Sequence, residues 1–510
     1  MITLLLLLAL AQDPPAPSYE DLVAQGLARG REGHLDEAGQ AFDRAIALDP
    51  GRAEAFVERG GLRFLEKNYD AAIRDLEQAL RRRSDPYTRD LLASALHLAG
   101  RSDEALGQWN VLGQPTLQSL EITGLEHTKD RVARRELSVA EGSLLSLDDL
   151  RASRARLREV GVFDRVTLRP VPRGEGKADV EVALSERYGL FATPLDFLLS
   201  SGVNALQRRV RLRYTNLKGT GVSFGGQYRW EENRPELSLA MDWPRPFGLP
   251  AYAHLQSFRG RQVYGLGESL TRKSRGIDLN LRHVFGAQTV GELGFRGRDR
   301  TFSRPDPSAE PGVVTGITGG VEQRLVDRYR QRLDVAARGF QTAAALGSEL
   351  RYATSVISLT YRAFASPPDG TPIDRSVLAA RVLWGWESGR APIDDAFAPG
   401  GSVEMEFPLR AHRQTRNGTL GEMPLARSLV LGNFEWRRRF LDKTAVQLGF
   451  AAFTDVGRAA RTVTGIDRSF VDVGLGLRVA FRGSSVIRID FGHGLSDGKN
   501  ALFVGLGQVF

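Results

Sequence analysis

Few side chains in this sequence are arranged to do chemistry. The seven histidines are scattered, and no two stand at a spacing that lets one metal ion take both. There is no cysteine, which removes thiolate nucleophiles, thiolate metal sites and disulfides. Gly-x-Ser-x-Gly occurs, as in Gly221-Val-Ser-Phe-Gly225, but not as a nucleophile elbow, and no His-Glu-x-x-His pair could hold a catalytic zinc. Gly219-Thr-Gly and Gly265-Leu-Gly read as turn or strand glycines rather than phosphate cradles, and Asn417-Gly-Thr reads as a turn. The expectation is a protein with no catalytic residue, no metal and no cofactor, and not an enzyme.

What recurs instead is charge alternating with apolar residues. The net charge of +8 raises nucleic-acid binding as a possibility, but no recognition motif accompanies it. Much of the arginine sits in strand-like segments. In Val210-Arg-Leu-Arg-Tyr214 one face is apolar and the other is arginine. Ile277-Asp-Leu-Asn-Leu-Arg282 repeats the pattern. In Val471-Asp-Val-Gly-Leu-Gly-Leu-Arg-Val-Ala-Phe481 every odd position is apolar, and Asp472, Gly474, Gly476, Arg478 and Ala480 take the even ones. Phe453, Asp455 and Gly457 share one parity and so project to one face. Such spacing lines one wall of a sheet with charge, as in a polar pore.

The elements that must position these residues are antiparallel strands running from Gly189 to Phe510. Alternation alone also allows a soluble sandwich. The charged polar face, the aromatics Tyr228, Trp230, Trp243, Trp384, Trp386, Phe434 and Trp436 near segment ends, and the terminal Phe510 as a sorting signal favour a transmembrane barrel. Membrane strands need about 9–11 residues, and with turns the repeat rises to roughly 20. The 322 residues of 189–510 then predict sixteen strands. Long loops are expected at Pro305 to Gly312 and Ser366 to Pro372.

The N-terminal part is different. Residues 1–11 read as a signal peptide, with an apolar run closed by Ala9 and Ala11, and residues 12–17 as a linker. Residues 18–114 repeat with a period near 34: Gly26, Ala38, Phe42 and Ala45 are echoed by Gly60, Ala72, Leu76 and Ala79, then by Ala105, Trp109 and Leu112. This is similar to three tetratricopeptide (TPR) repeats, either a peptide-binding surface or a spacer. Residues 115–188 predict the order β-α-α-β-β. The strands are Leu117 to Ile122, Asp164 to Arg169 and Ala178 to Leu184; the helices are Lys129 to Leu137 and Leu147 to Val160; Pro170 to Gly176 is the last turn. That order, with Gly161-Val-Phe-Asp-Arg-Val166, resembles a polypeptide-transport-associated (POTRA) domain. The resemblance implies a sheet edge at Asp164, Val166 and Leu168 able to accept a client strand, or else a rigid spacer.

Five motifs then follow in order: Ala398-Pro-Gly-Gly-Ser-Val, Leu409-Arg-Ala-His412, Phe453-Thr-Asp-Val-Gly457, Ile487-Arg-Ile-Asp-Phe-Gly492 and Val504-Gly-Leu-Gly-Gln-Val-Phe510. Their order and spacing resemble the barrel of the BamA/TamA superfamily of outer-membrane assembly and translocation proteins. The resemblance covers about 115–510. It implies a loop folded back into the lumen, whose Arg410 meets Asp455 on the wall beside Phe453, with Gly457 admitting the loop. Ala411 and His412 depart from the family, which has glycine and an aromatic there. The expected fold is an all-α TPR solenoid, an α+β POTRA domain and a sixteen-stranded antiparallel transmembrane barrel. The implied function is insertion or translocation of unfolded β-rich clients at the outer membrane of a Gram-negative-type bacterium. The helical arm and POTRA domain would lie in the periplasm, where the TPR could meet chaperones or accessory proteins. The implied partners are polypeptide clients and outer-membrane lipid, not nucleic acid. A dedicated secretion pore of the two-partner type and a passive channel or structural surface protein are the alternatives.

Overall fold

The computed structural model describes residues 16–190, 194–366, 373–401, 406–443, 446–481 and 486–510. The signal-peptide reading of residues 1–11 lies outside them. The chain divides into two compact units, one of residues up to 121 with 139–147 and 169–181, the other of 122–138, 148–168 and 182–510.

The first unit is built on six helices: α1 (Tyr19–Arg31), α2 (Leu35–Leu48), α3 (Glu54–Leu65), α4 (Tyr69–Arg82), α5 (Pro86–Leu98) and α6 (Ser102–Val111). Their starts are written in the sequence. Ser18 accepts from the Asp21 amide while Asp21 accepts back from Ser18, a capping box. Asn68 caps α4, and Asp85 caps α5 with Pro86 in its first turn. The helices pack as consecutive pairs, α1 on α2, α3 on α4 and α5 on α6. The echoed positions are where the pairs cross. A Cβ on Gly26 would lie 2.5 Å from the Phe42 ring, and one on Gly60 would lie 2.9 Å from Leu76. Ala38, Ala72 and Ala105 are fully buried, as are Ala45 and Ala79. Fully burying a leucine such as Leu76 contributes about 1.5–3 kcal/mol.

Strands β1 (Thr116–Thr123), β2 (Phe163–Gly174) and β3 (Lys177–Glu186) form a three-stranded sheet in the order β1-β3-β2. Two short helices, α7 (Asp130–Arg134) and α8 (Leu147–Glu159), precede β2. The expected turn from Pro170 is a correction: β2 continues to Gly174, and the turn is made by Glu175 and Gly176, both with positive φ. Pro170 and Pro172 fit a strand here because β2 is at the sheet margin, where a missing N–H breaks no ladder bond.

In the second unit, Gly189 does not begin a strand. Helix α9 (Pro194–Leu206) comes first, and the large sheet starts at β4 (Arg209–Tyr214). It continues through β5 (Ser223–Arg229), β6 (Glu236–Pro244), β7 (Tyr252–Leu266), β8 (Glu268–Val284), β9 (Thr289–Phe302), β10 (Gly312–Arg328), β11 (Gln331–Thr342), β12 (Tyr352–Phe364) and β13 (Ser376–Gly389). A hairpin of two-residue strands, β14 (Thr415–Arg416) and β15 (Thr419–Leu420), lies in the next loop. Then come β16 (Ala426–Asp442), β17 (Val446–Thr462), β18 (Arg468–Phe481), β19 (Ile487–Gly494) and β20 (Asn500–Leu506). β13 pairs directly with β16, and the ladders between successive long strands are antiparallel, while the hairpin strand β15 meets β7 in parallel at Leu420 and Tyr264. The strands follow barrel order. Among the described residues the ten strands β4–β13 and the five strands β16–β20 make fifteen, not sixteen. Helix α9 packs on both β4 and β20.

One face of this sheet is apolar and exposed, with Leu239, Ile277, Leu293, Val382, Trp384, Leu475 and Phe491 all more than 40% accessible. The opposite face is buried and ionic, with Arg300, Glu435, Asp455, Asp472, Arg478 and Asp490 almost wholly inaccessible. This inverts the usual layout, in which charge lies outside and hydrocarbon inside. Of the expected girdle, Tyr228, Trp230, Trp384, Phe434 and Trp436 are exposed on the apolar face. At one end of the strands, Glu136 receives Arg245 and the Tyr252 hydroxyl, and Glu159 receives Arg282. The long loops, 303–311 and 390–425, lie at the other end.

Candidate functional site: a loop anchored at two depths

The connection from β13 to β16 is the longest in the sheet, and it folds back against the ionic face. Strand register prepares the receiving wall. Asn433, Asp455 and Asp472 form one cross-strand row with Gly494. Glu435, Phe453, Gly474 and Gly492 form the next. Parity aims both rows inward, and the glycines cut a notch in the second. A Cβ on Gly474 would lie 2.3 Å from the Phe453 ring, and one on Gly492 would lie 2.2 Å from the Arg410 carbonyl oxygen.

Arg410 fills the notch. Its backbone N–H donates to Asp455 at 3.1 Å, its Nε at 2.8 Å and its Nη2 to the other carboxylate oxygen at 2.8 Å. Nη1 donates to Glu435. The guanidinium lies 3.5 Å from the centroid of the Phe453 ring. Asn433 donates to Asp455 at 2.9 Å and to the Pro408 carbonyl at 3.1 Å, so it ties loop and wall together. Glu435 is also met by Arg437 at 2.7 Å and Arg478 at 3.1 Å, and Arg478 reaches Asp490 at 2.6 Å. Gly457 sits where a Cβ would meet Leu431 at 2.7 Å and Leu409 of the loop at 3.1 Å. The pair Arg410–Asp455 and the residues Phe453 and Gly457 therefore meet in one place.

The two departures from the family pattern are absorbed. Ala411 is buried, and its N–H donates to Asp472 at 2.8 Å. His412 stands edge-on to Phe470, with centroids 4.9 Å apart, so it keeps an aromatic contact. It adds hydrogen bonds to Asp472 at 3.1 Å and Asp497 at 3.0 Å. Burial opposes its protonation, but the two carboxylates outweigh burial and raise its pKa above the ordinary 6.5.

A second anchor lies nearer the loop end of the strands, with the charges reversed. Here the loop supplies the anions, Asp394 and Asp395. Asp394 accepts from Arg272 at 2.9 Å and from Arg300 at 2.8 Å. Asp395 accepts from the Tyr352 hydroxyl and, at 3.4 Å, from Arg298 and Arg300. Arg300 and Asp394 are fully buried. Burial works against ionisation of Asp394, yet Arg272 and Arg300 hold its carboxyl below the usual range. Sequence reading missed this anchor. The inward parity of Arg272, Arg298 and Arg300 was visible, but nothing local tied Asp394 to strands about a hundred residues away.

The remaining site residues lie elsewhere. Asp164 is on β2, exposed and paired with Arg187 at 2.7 Å; Val166 and Leu168 are buried on the same margin strand. Phe510 turns towards the ionic face, where Arg437 donates to its carbonyl oxygen at 2.6 Å and Arg381 lies 5.2 Å from its ring.

Comparison with known proteins covers both parts. Residues 115–187 match the POTRA family model, described as surface antigen variable number repeat. No curated protein sequence matches the chain. Among solved structures, CdiB from Escherichia coli is 12% identical over 77% of this chain and 75% of its own, with a TM-score of 0.54. CdiB from Acinetobacter baumannii is 14% identical, over 87% and 84%, with a TM-score of 0.48. BamA from Haemophilus ducreyi lacking POTRA domains 1–3 is 13% identical, over 76% and 83%, with a TM-score of 0.43. The chain therefore carries a POTRA domain at 115–187, followed by an antiparallel sheet with the fold seen in CdiB from Escherichia coli.

Proposed function

We propose that this protein inserts or translocates unfolded, β-rich polypeptides at an outer membrane, without catalysis or cofactor. In this reading the sheet closes through β4 and β20 into a transmembrane barrel, with α9 packed beside the closure. The six helices act as a TPR arm in the periplasm, open to chaperones or accessory proteins, and pass the client to the POTRA margin at Asp164, Val166 and Leu168. The buried side chains of Val166 and Leu168 leave the backbone of β2 to do the pairing, as strand addition requires. The Arg410–Asp455 lock holds the loop in the lumen while the client is handled.

The observation that carries this reading is the seam. β4 has six residues and β20 seven, whereas β8, β10, β16 and β17 have seventeen each. Fewer ladder bonds make the first and last strands the easiest part of the sheet to separate. The Gln207 side chain, just past α9, donates to the Val504 carbonyl of β20 at 3.2 Å and so occupies an acceptor that a strand would otherwise use.

The test uses the absence of native cysteine. Gln207→Cys and Val504→Cys, joined by a cleavable thiol crosslinker in the full chain, should stop insertion of an unfolded barrel client into proteoliposomes. Cleaving the linker should restore it. An unchanged insertion rate in the locked protein would refute the seam mechanism. Separately, photo-crosslinkers placed at Asp164 and Arg169 should trap the client.

A further inference from the structure

One stretch of the apolar face departs from its pattern. On β7 the outward positions run Leu255, Ser257, Arg259 and Arg261; on β8 they run Leu279, Ile277, Arg275 and Lys273. Register places Arg259 opposite Arg275 and Arg261 opposite Lys273, two like-charged cross-strand pairs side by side. All four side chains are exposed. Like charges facing each other across a ladder are destabilising unless something neutralises them. The chain supplies little. Asp299 meets Arg275 at 2.9 Å, and Arg261 donates to the Glu232 carbonyl at 2.7 Å. Among the described residues no carboxylate pairs with Arg259 or Lys273.

These four cations line a cleft of about 630 Å³, which Tyr228 and Leu237 share and Glu236 borders. Leu237 stands opposite Arg259 and is 51% exposed, and Ile277, two residues from Arg275, is 43% exposed. Cations and exposed hydrocarbon therefore adjoin on one face. The cleft lies towards the loop end of β7 and β8, remote from the end where Tyr252 and Arg282 are held by Glu136 and Glu159.

We propose that this cleft binds a lipid whose headgroup carries more than one phosphate, at the outer boundary of the apolar belt. The two cation pairs take the phosphates, and the acyl chains run along Leu237, Leu239 and Ile277. The proposal rests on the reading of the sheet as a membrane barrel.

The full chain in detergent would be exposed to bisphosphorylated lipid A, to its dephosphorylated form and to phosphatidylethanolamine, with retention read by native mass spectrometry. The bisphosphorylated lipid should be retained preferentially. Arg259→Gln with Lys273→Gln should weaken retention roughly 30-fold, the effect of removing two basic residues at a membrane surface. Both positions are exposed on strands, so this variant keeps the fold, which heat-modifiable migration in gels would report. Equal retention by the variant, or of the dephosphorylated lipid, would overturn the proposal. Full displacement by inorganic phosphate would overturn it too, in favour of a free-anion site. Insertion into vesicles is measured in parallel. Failure to insert sinks the barrel reading, whereas insertion without lipid preference sinks only the lipid site.

Discussion

The helical arm and the barrel interior solve the same packing problem with opposite materials. In the arm, small residues let hydrocarbon close: Gly60 meets Leu76, and Ala72 and Ala79 are sealed beneath. In the barrel, small residues let charge close: Gly474 and Gly492 open the notch that Arg410 fills. A hydrophobic contact is non-directional and tolerates modest error. A buried ion pair is not forgiving, because losing one partner leaves the other charged in low dielectric. The arm is therefore expected to degrade gradually on mutation and the loop anchor to fail abruptly.

The largest effect should come from Arg410→Ala, which leaves the buried Asp455 without its cation, held by Asn433, while Glu435 keeps Arg437 and Arg478. Breaking a buried pair this way costs about 3–5 kcal/mol. The expected outcome is a released loop, read as new protease cleavage within 390–425 while the strands stay protected. An uncut loop would mean that the Asp394 anchor suffices alone. The converse test is Asp394→Asn, expected to cost about 1.5–3 kcal/mol, the worth of hydrogen bonds to a charged group. Asp395 and Tyr352 keep part of that anchor, so cleavage should be weaker. Third is Gly60→Val in the arm. Overpacking against Leu76 should cost about 1–3 kcal/mol and lower the arm's melting midpoint by circular dichroism without altering loop protection. If loop protection changed as well, the two regions would be coupled.

The smallest expected effect depends on pH. His412 has its pKa raised in the folded protein, because Asp472 and Asp497 outweigh burial. The protonated ring binds both carboxylates, so its contribution is complete below the ordinary 6.5 and is lost as pH rises through the folded value. Loop cleavage should increase on alkalinisation in the native protein and become flat with His412→Phe. A pH response that survives in His412→Phe would remove the histidine from the explanation.

Legibility in the sequence followed the range of the interactions. The helices, their caps and the period near 34 were readable because each depends on neighbours in sequence. The strand faces were readable for the same reason, and so was the shared parity of Phe453, Asp455 and Gly457. Their meeting with Arg410 came through family resemblance rather than through spacing. Helix α9 was not visible, since an apolar run after Leu190 suits helix or strand until its neighbours are fixed. Glu435, Asp490 and Asp394 were not visible as partners because register and loop path, not composition, bring them to their arginines. His412 looked like a blemish in a motif; in place it keeps the ring contact and gains two carboxylates.

The opposite polarity of the two anchors bears on the order of assembly. The loop cannot seat Arg410 until β16 to β19 are in register, and it cannot seat Asp394 until β8 and β9 have also been threaded. Each wall carries only half of the complement, and the halves are not interchangeable. Seating both anchors thus requires β8, β9 and β16 to β19 to hold their register together. A one-residue slip of any of these strands would turn its charged side chains to the other face, and the anchor it serves would be lost.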